Sequence, residues 1–382
     1  MTNQALTLLQ RSLAIADAYL EPIVELTTRL TEVPAPSNDE VDRAKVLHEV
    51  LADMGYNDVT TDSIHNVTAR IPGKDRSKSL LVAAHTDTVF PREVDLTVTR
   101  DGDTLAGPGV GDNTVAVATV AMLKQAFEEL GEVPAIDIVV TGNVGEEGLG
   151  DLRGMKAVCA ALPEMVGSIA VEGHALGGVT YEAVGSRRYR VTVTGAGGHS
   201  WGQAGTPSAI HHLARMITAM DDIPLPDNPK TSFNAGIVEG GISVNTIAPE
   251  AVAILDMRST SSESLEALVA EVDTILEMPR PAGIDVQVEV VGDRPAGSQP
   301  SDGVLVQIAD SVLTDLGYTS IRHEPGSTDA NVPIAMGIPA ICIGVTTGAY
   351  AHREDEYIQI SPIPKGFAHL MTVILQSAEA LA

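Results

Sequence analysis

Ser79-Leu80-Leu81-Val82-Ala83-Ala84-His85-Thr86-Asp87 is the stretch from which the architecture is read. Ser79 to Ala84 form a short buried strand that delivers His85 at its C-terminal end. The same device recurs downstream. Ala135-Ile136-Asp137-Ile138-Val139-Val140 is a second buried strand, and Glu146 and Glu147 stand just beyond it in Val144-Gly145-Glu146-Glu147-Gly148. Ser168-Ile169-Ala170-Val171 is a third, ending at Glu172. Helical periodicity fills the intervals: residues 7 to 31, a segment from Ser37-Asn38-Asp39-Glu40 to about Met54, and Val115 to Leu130, which Asp112 introduces. Strands alternating with helices, with polar side chains at successive strand ends, are how an α/β sheet builds a site.

The pattern changes near Ser186. Arg188 to Thr194, Ala251 to Asp256 and Ile284 to Val290 alternate like half-exposed strands, with helices at about Pro207 to Met220 and Ser262 to Glu277. Strand, helix, strand, strand, helix, strand is the order of a small α+β domain on an antiparallel sheet. Gly292-Asp293-Arg294-Pro295-Ala296-Gly297 reads as the linker back, after which helix 301–316, strand 338–345 and a helix from about Pro362 resume the α/β pattern. The expected organisation is a discontinuous domain of residues 1–186 and 294–382, interrupted by an inserted domain at 187–293.

Composition narrows the function. A formal net charge of -27 argues against nucleic acid, whose phosphates need a basic patch. No apolar run approaches the length that spans a bilayer. Met1-Thr2-Asn3-Gln4-Ala5 lacks a basic leader region, and Cys159 and Cys342 make no disulfide framework, so a cytoplasmic protein is expected.

Taken singly, the polar residues at the strand ends have ordinary readings. Asp112, after Gly107-Pro108-Gly109-Val110-Gly111, resembles a helix N-cap, Glu146 and Glu147 resemble solvated loop charges, and His352 resembles a surface histidine. His85 and Asp87, two apart, point to one face, so Asp87 is placed to bond the imidazole nitrogen turned away from a metal. Taken together, His85, Asp112, Glu146, Glu147, Glu172 and His352 supply ligands for two divalent cations and a spare carboxylate to serve as base.

Five motifs, in order and over nearly the whole chain, resemble those of the M20 metallopeptidase family: His85-Thr86-Asp87-Thr88-Val89, Gly109-Val110-Gly111-Asp112-Asn113, Glu146-Glu147-Gly148, Val171-Glu172-Gly173 and Ala351-His352. The resemblance implies a zinc-peptidase-like three-layer α/β catalytic domain with an inserted ferredoxin-like lid and dimerisation domain. It implies that Asp112 bridges two metal ions, that His85 and Glu172 complete one site, and that Glu147 and His352 complete the other. Glu146 is then the general base, and Asp87 orients His85. Zinc is the expected metal, with cobalt or manganese also suited to these ligands. One departure concerns Thr114-Val115, which stand where many members carry Lys-Gly.

The resemblance extends into the inserted segment. Gly195-Ala196-Gly197-Gly198-His199-Ser200 is similar to a lid motif whose histidine reaches a partner subunit's site, which implies a homodimer and a role for His199 at the oxyanion. Asn245 and Arg258 match lid positions that hold a substrate carboxylate, and Gly326-Ser327-Thr328 precede a helix that could offer backbone N–H groups to it. The expected activity is hydrolysis of an amide in a small substrate with a free carboxylate, of the di- or tripeptidase or carboxypeptidase kind and most like the peptidase T side of the family. The alternative is an N-acyl-amino-acid deacylase. A remote alternative is a serine hydrolase, because Gly198-His199-Ser200-Trp201-Gly202 fits the nucleophile-elbow pattern around Ser200.

Overall fold

The computed structural model describes residues 7–382; Met1 to Ala5, read above for a leader, lie outside them. Contacts divide the described residues into two compact units, one of residues 7–182 and 299–382 and the other Ala183–Ser298.

The first unit is built on a 7-stranded sheet in the order Asn57–Thr61, Val67–Ile71, Ile136–Asn143, Asp75–His85, Met165–Glu172, Ala340–Gly344, Val179–Thr180. The central strands run parallel, with Leu81 opposite Val139 and Ile169 opposite Ile341. Period-two alternation divides their side chains between two cores. Leu80, Val82, Ala84, Ile138 and Val140 join a large cluster with the helices Leu20–Thr31, Val115–Ala121 and Ile363–Leu381. Leu81, Ala83 and Val139 face the other way, onto Leu152, Met155 and Val158 of the helical region 152–161. Apolar side chains therefore cover both faces, which is why these strands read as continuous apolar runs. Each fully buried Leu or Ile there contributes roughly 1.5–3 kcal/mol.

The second unit is a 4-stranded antiparallel sheet, ordered Thr231–Gly240, Glu250–Ser259, Gly185–Thr194, Asp285–Arg294. Its helices Ala209–Asp221 and Ser262–Leu276 share one core with Ala251, Ala253, Leu255 and Met257. In chain order these strands lie 2-3-1-4, the ferredoxin-like arrangement implied by the resemblance.

Local differences from the sequence expectation have physical causes. The 7–31 helix is interrupted by a tight turn at Asp17–Tyr19, and the 115–130 helix breaks at Met122. Gly292 to Arg294 are not linker. They continue a strand across a register shift that lies between Arg188 and Tyr189 of the neighbouring strand. Asp112 does not open a regular helix, since its φ of -112° and ψ of 87° are non-helical. Among the described residues no helix is long and apolar enough to cross a membrane.

Candidate metal centre

The parallel strands end side by side, so their C-terminal residues converge. His85 and Glu172 are the last residues of adjacent strands, and Glu146 and Glu147 follow the strand on the other side of His85. The turn before the Val115 helix brings in Asp112, and a loop near the C-terminus brings in His352. Two groups of potential ligand atoms result, His85–Asp112–Glu172 and Asp112–Glu147–His352. Asp112 is common to both and divides its oxygens between them. Its Oδ1 lies 3.2 Å from His85 Nε2, and its Oδ2 lies 3.1 Å from His352 Nε2. Glu172 Oε2 stands 3.8 Å from His85 Nε2, and Glu147 Oε1 stands 3.0 Å from His352 Nε2. Ligand atoms around a tetrahedral zinc ion, with bonds of about 2.0–2.1 Å, are separated by about 3.4 Å. The spacing and the mixture of imidazole and carboxylate fit two such ions sharing one carboxylate.

The electrostatics also suit cations. Burial pushes Glu172 well above the usual carboxylate range, with His85 as its counter-charge, and burial and the Asp112 charge raise Glu147. Burial alone would raise Asp112 and lower His85, but the bonds of Asp112 to His352 and His85 hold it low, and those of His85 to Asp112 and Asp87 hold it high. His352 rises to about 9, mainly through its bond to Asp112.

Asp87 differs in detail from the expectation. Its carboxylate lies 3.6 Å from His85 Nδ1, and the nearer acceptor for that ring nitrogen is the Asp87 main-chain oxygen at 3.2 Å. The carboxylate also accepts the N–H of Glu146 at 2.9 Å and of Glu147 at 3.0 Å, together with the Ser37 hydroxyl at 2.6 Å. Burial opposes ionisation, but His85 first, and then the bonds from Ser37 and Glu147, hold Asp87 down to about 2. Asp87 thus anchors the glutamate doublet. Gly145 makes the preceding turn at φ +68°, where a Cβ would come within 2.8 Å of Arg153.

Three supporting residues were not singled out from the sequence. Asn113 donates to Val171 O at 2.7 Å and accepts from Gly173 N–H at 2.9 Å, bracketing Glu172. Glu356 accepts backbone N–H groups of the Asp112 turn. Arg43 is buried and donates to Thr86 O at 2.8 Å, Thr31 O at 3.2 Å and Val33 O at 2.8 Å, with Thr114 Oγ1 at 3.4 Å. Burial lowers Arg43 to about 10, and the Asp87 charge partly restores it, so it is a cation at neutral pH. The signal for Arg43 was present: it shares the inward stripe of its helix with Leu47 and Val50. Arg43→Met would leave several buried carbonyls unpaired and remove a cation near Asp87, so a loss of about 3–5 kcal/mol is expected. The check is a fall in thermal midpoint on the order of 10 °C.

The other expected residues are placed as follows. Gly326 N–H bonds Glu182 O at 3.0 Å and Thr328 N–H bonds Asn331 Oδ1 at 3.0 Å, so these two amides are engaged within the fold rather than offered to a ligand. The helix that follows, Asn331–Ala335, is a single short turn of 5 residues. In the second unit Arg258 donates its Nε–H to Asp256 at 2.6 Å, and Asn245 Oδ1 accepts from Ser243 Oγ at 3.0 Å. His199 is exposed, and its Nδ1 accepts the N–H groups of Trp201 and Gly202 at 3.2 Å, which puts the proton of the neutral ring on Nε2. Turns rather than a helix follow Ser200, so the nucleophile elbow is not formed. A cavity of about 300 Å³, lined in part by Asp112, Glu172, His174, Thr180, Arg322 and Glu324, opens beside the first ligand group.

Comparison with known proteins gives a consistent outcome. Residues 81–376 match the family described as peptidase family M20/M25/M40. A succinyl-diaminopimelate desuccinylase of Corynebacterium glutamicum is 25% identical over 91% of this chain and 94% of its own length. Among solved structures, the aminopeptidase PepT of Bacillus cereus superposes with a TM-score of 0.76 at 23% identity, over 94% of this chain and 99% of that one. A dinuclear metal-binding M20 peptidase of Bacillus subtilis superposes with a TM-score of 0.66 at 16% identity, over 95% and 99% of the respective chains.

Proposed function

The chain belongs to peptidase family M20/M25/M40 and is a metallo-hydrolase, and we propose that it cleaves an amide bond near a free carboxylate in a small substrate. The observation that carries this reading is Asp112, with one oxygen 3.2 Å from His85 Nε2 and the other 3.1 Å from His352 Nε2. His85, Asp112 and Glu172 would hold one divalent ion, and Asp112, Glu147 and His352 the second, with zinc the first choice. Bound there, the ions supply Lewis-acid chemistry, acidifying water and polarising a carbonyl.

The chain's own groups do the rest. Glu146 lies outside both ligand groups, as a base must, because a metal-coordinated carboxylate has lost the lone pairs it needs. Asp87 pins its backbone N–H at 2.9 Å and so fixes where the carboxylate starts. Glu146 takes a proton from the attacking water and passes it to the leaving amine. His199, with its proton on Nε2, is suited to donate a hydrogen bond to the oxyanion. The unit 183–298 would then serve as lid and dimerisation domain, with His199 acting on the partner's site, and with Asn245 and Arg258 holding the substrate carboxylate. If His199→Ala and Glu146→Ala chains, each inactive, regain no activity on subunit exchange, action in trans is wrong.

A di- or tripeptide is the proposed substrate, and the cavity of about 300 Å³ suits one of that size. An N-acyl amino acid is the second reading, favoured by the likeness to a desuccinylase. Elemental analysis should find about two divalent ions per chain. Chelation should abolish cleavage of a peptide and N-acyl-amino-acid panel, and added zinc should restore it. The preferred panel member decides between peptidase and deacylase. Absence of metal after reconstitution, with activity lost to a serine-directed inhibitor, would overturn the mechanism and revive Ser200.

A further inference from the structure

Glu356 is fully buried, and among the described residues no Lys or Arg forms an ion pair with it. A carboxylate buried without a cationic partner is costly unless other donors satisfy it. What the carboxylate does is collect backbone donors. Its Oε2 accepts the Gly109 N–H at 2.6 Å, and its Oε1 accepts those of Gly111 at 3.1 Å and Asp112 at 2.8 Å. Its main-chain oxygen takes a fourth, from Gly107 at 2.9 Å. Every one of these donors belongs to the turn that ends at Asp112.

Glu356 also sits in the loop that carries His352. Its N–H bonds Arg353 O at 3.1 Å, and the Arg353 N–H bonds Tyr350 O at 3.0 Å, so a short braced segment separates it from His352. That segment is strained, since Tyr350 and His352 adopt φ of 69° and 67° without being glycine. A third loop joins the cluster. His174, which follows Glu172 by one glycine, places Nε2 3.3 Å from Glu356 Oε1. The ring lies so close to the Asp112 turn that a Cβ on Gly111 would fall 1.8 Å from Nε2.

We propose that Glu356 is a positioning residue for the dinuclear site: it ties the Asp112 turn to the His352 loop and thereby sets the ion held by Asp112, Glu147 and His352. This rests on the metal assignments proposed above. The effect is selective because the two ions are supported differently. His85 and Glu172 end strands anchored in the sheet, whereas His352 sits on a loop that Glu356 ties to the backbone of the Asp112 turn, beside the direct contact of His352 Nε2 with Asp112 Oδ2 at 3.1 Å.

The test is Glu356→Gln, which keeps the size but turns an amide NH₂ towards backbone donors. Zinc binding to purified full-length protein is measured by competition with a fluorescent chelator, beside kcat and KM at low and saturating zinc. One ion should bind as in the wild type while the other weakens by about 10–100-fold, the usual effect of losing a group that orients ligands. The kcat should fall at low zinc and recover at high zinc, with KM little changed. Glu356→Asp keeps the charge at shorter reach, so a smaller loss at the same ion is expected, and it carries the test if the Gln variant does not fold. Wild-type affinity for both ions, equal weakening of both, or failure of both variants to fold would overturn the proposal. A wild-type chain that binds no zinc would instead sink the metal assignment itself.

Discussion

Glu146→Gln is expected to lower kcat on the order of 10³- to 10⁴-fold while KM and bound metal stay near wild type. The magnitude follows from removing the proton acceptor while leaving both ligand groups intact, because Glu146 belongs to neither. The amide is nearly isosteric, and the Glu146 N–H that Asp87 holds at 2.9 Å is unchanged, so the loop should keep its shape. Steady-state kinetics with metal analysis on the same sample makes the check. A variant within tenfold of wild-type kcat would remove Glu146 from its role, and a variant that had lost metal would make it a ligand. The adjacent residue is the contrast: Glu147→Gln should release one ion, since its Oε1 sits 3.0 Å from His352 Nε2.

Asp112→Ala is expected to abolish activity and weaken both ions, beyond the roughly 10–100-fold that losing an orienting group costs. No other residue is common to the two ligand groups. Removing its oxygens also leaves the buried His85 and the half-exposed His352 without their nearest carboxylate contact or one of the two nearest. Ions that bind the folded chain stabilise it by mass action, about 2.7 kcal/mol per site at a hundredfold excess over Kd. The variant should therefore lose most of the thermal stabilisation that added zinc gives the wild type. Calorimetric titration and melting with and without zinc test this. Retention of one ion at wild-type affinity would show that Asp112 does not bridge.

Much of the fold and of the ligand set is legible in the chain itself, and for a local reason. Hydrophobic periodicity is carried by neighbouring residues, so the buried runs at Ser79–Ala84 and Ile136–Val140, and the switch to alternation at Arg188–Thr194, identify the α/β layers and the inserted antiparallel sheet. Five short motifs identify the M20 family, since its ligands sit at strand ends and in tight turns where nearby sequence is constrained. Element ends are less legible. The strand that ends at Arg294 continues across a register shift opposite Arg188–Tyr189, which follows from its partner strand and not from its own residues.

The support around the ligands is decided by the tertiary structure alone. Asp87 reads as a partner for His85, and the fold adds that its oxygens accept from Glu146 and Glu147, which lie 59 and 60 residues away. Gly326 and Thr328 read as free donors, yet Glu182 and Asn331 take their amides. Glu356 bonds a turn 247 residues upstream at Gly109, and Arg43 reaches 43 residues to Thr86. A residue's type and the period around it are written in the chain. Which buried donor meets which acceptor depends on segments that only folding brings together, and a buried polar group must find such a partner or bear the full cost of leaving water.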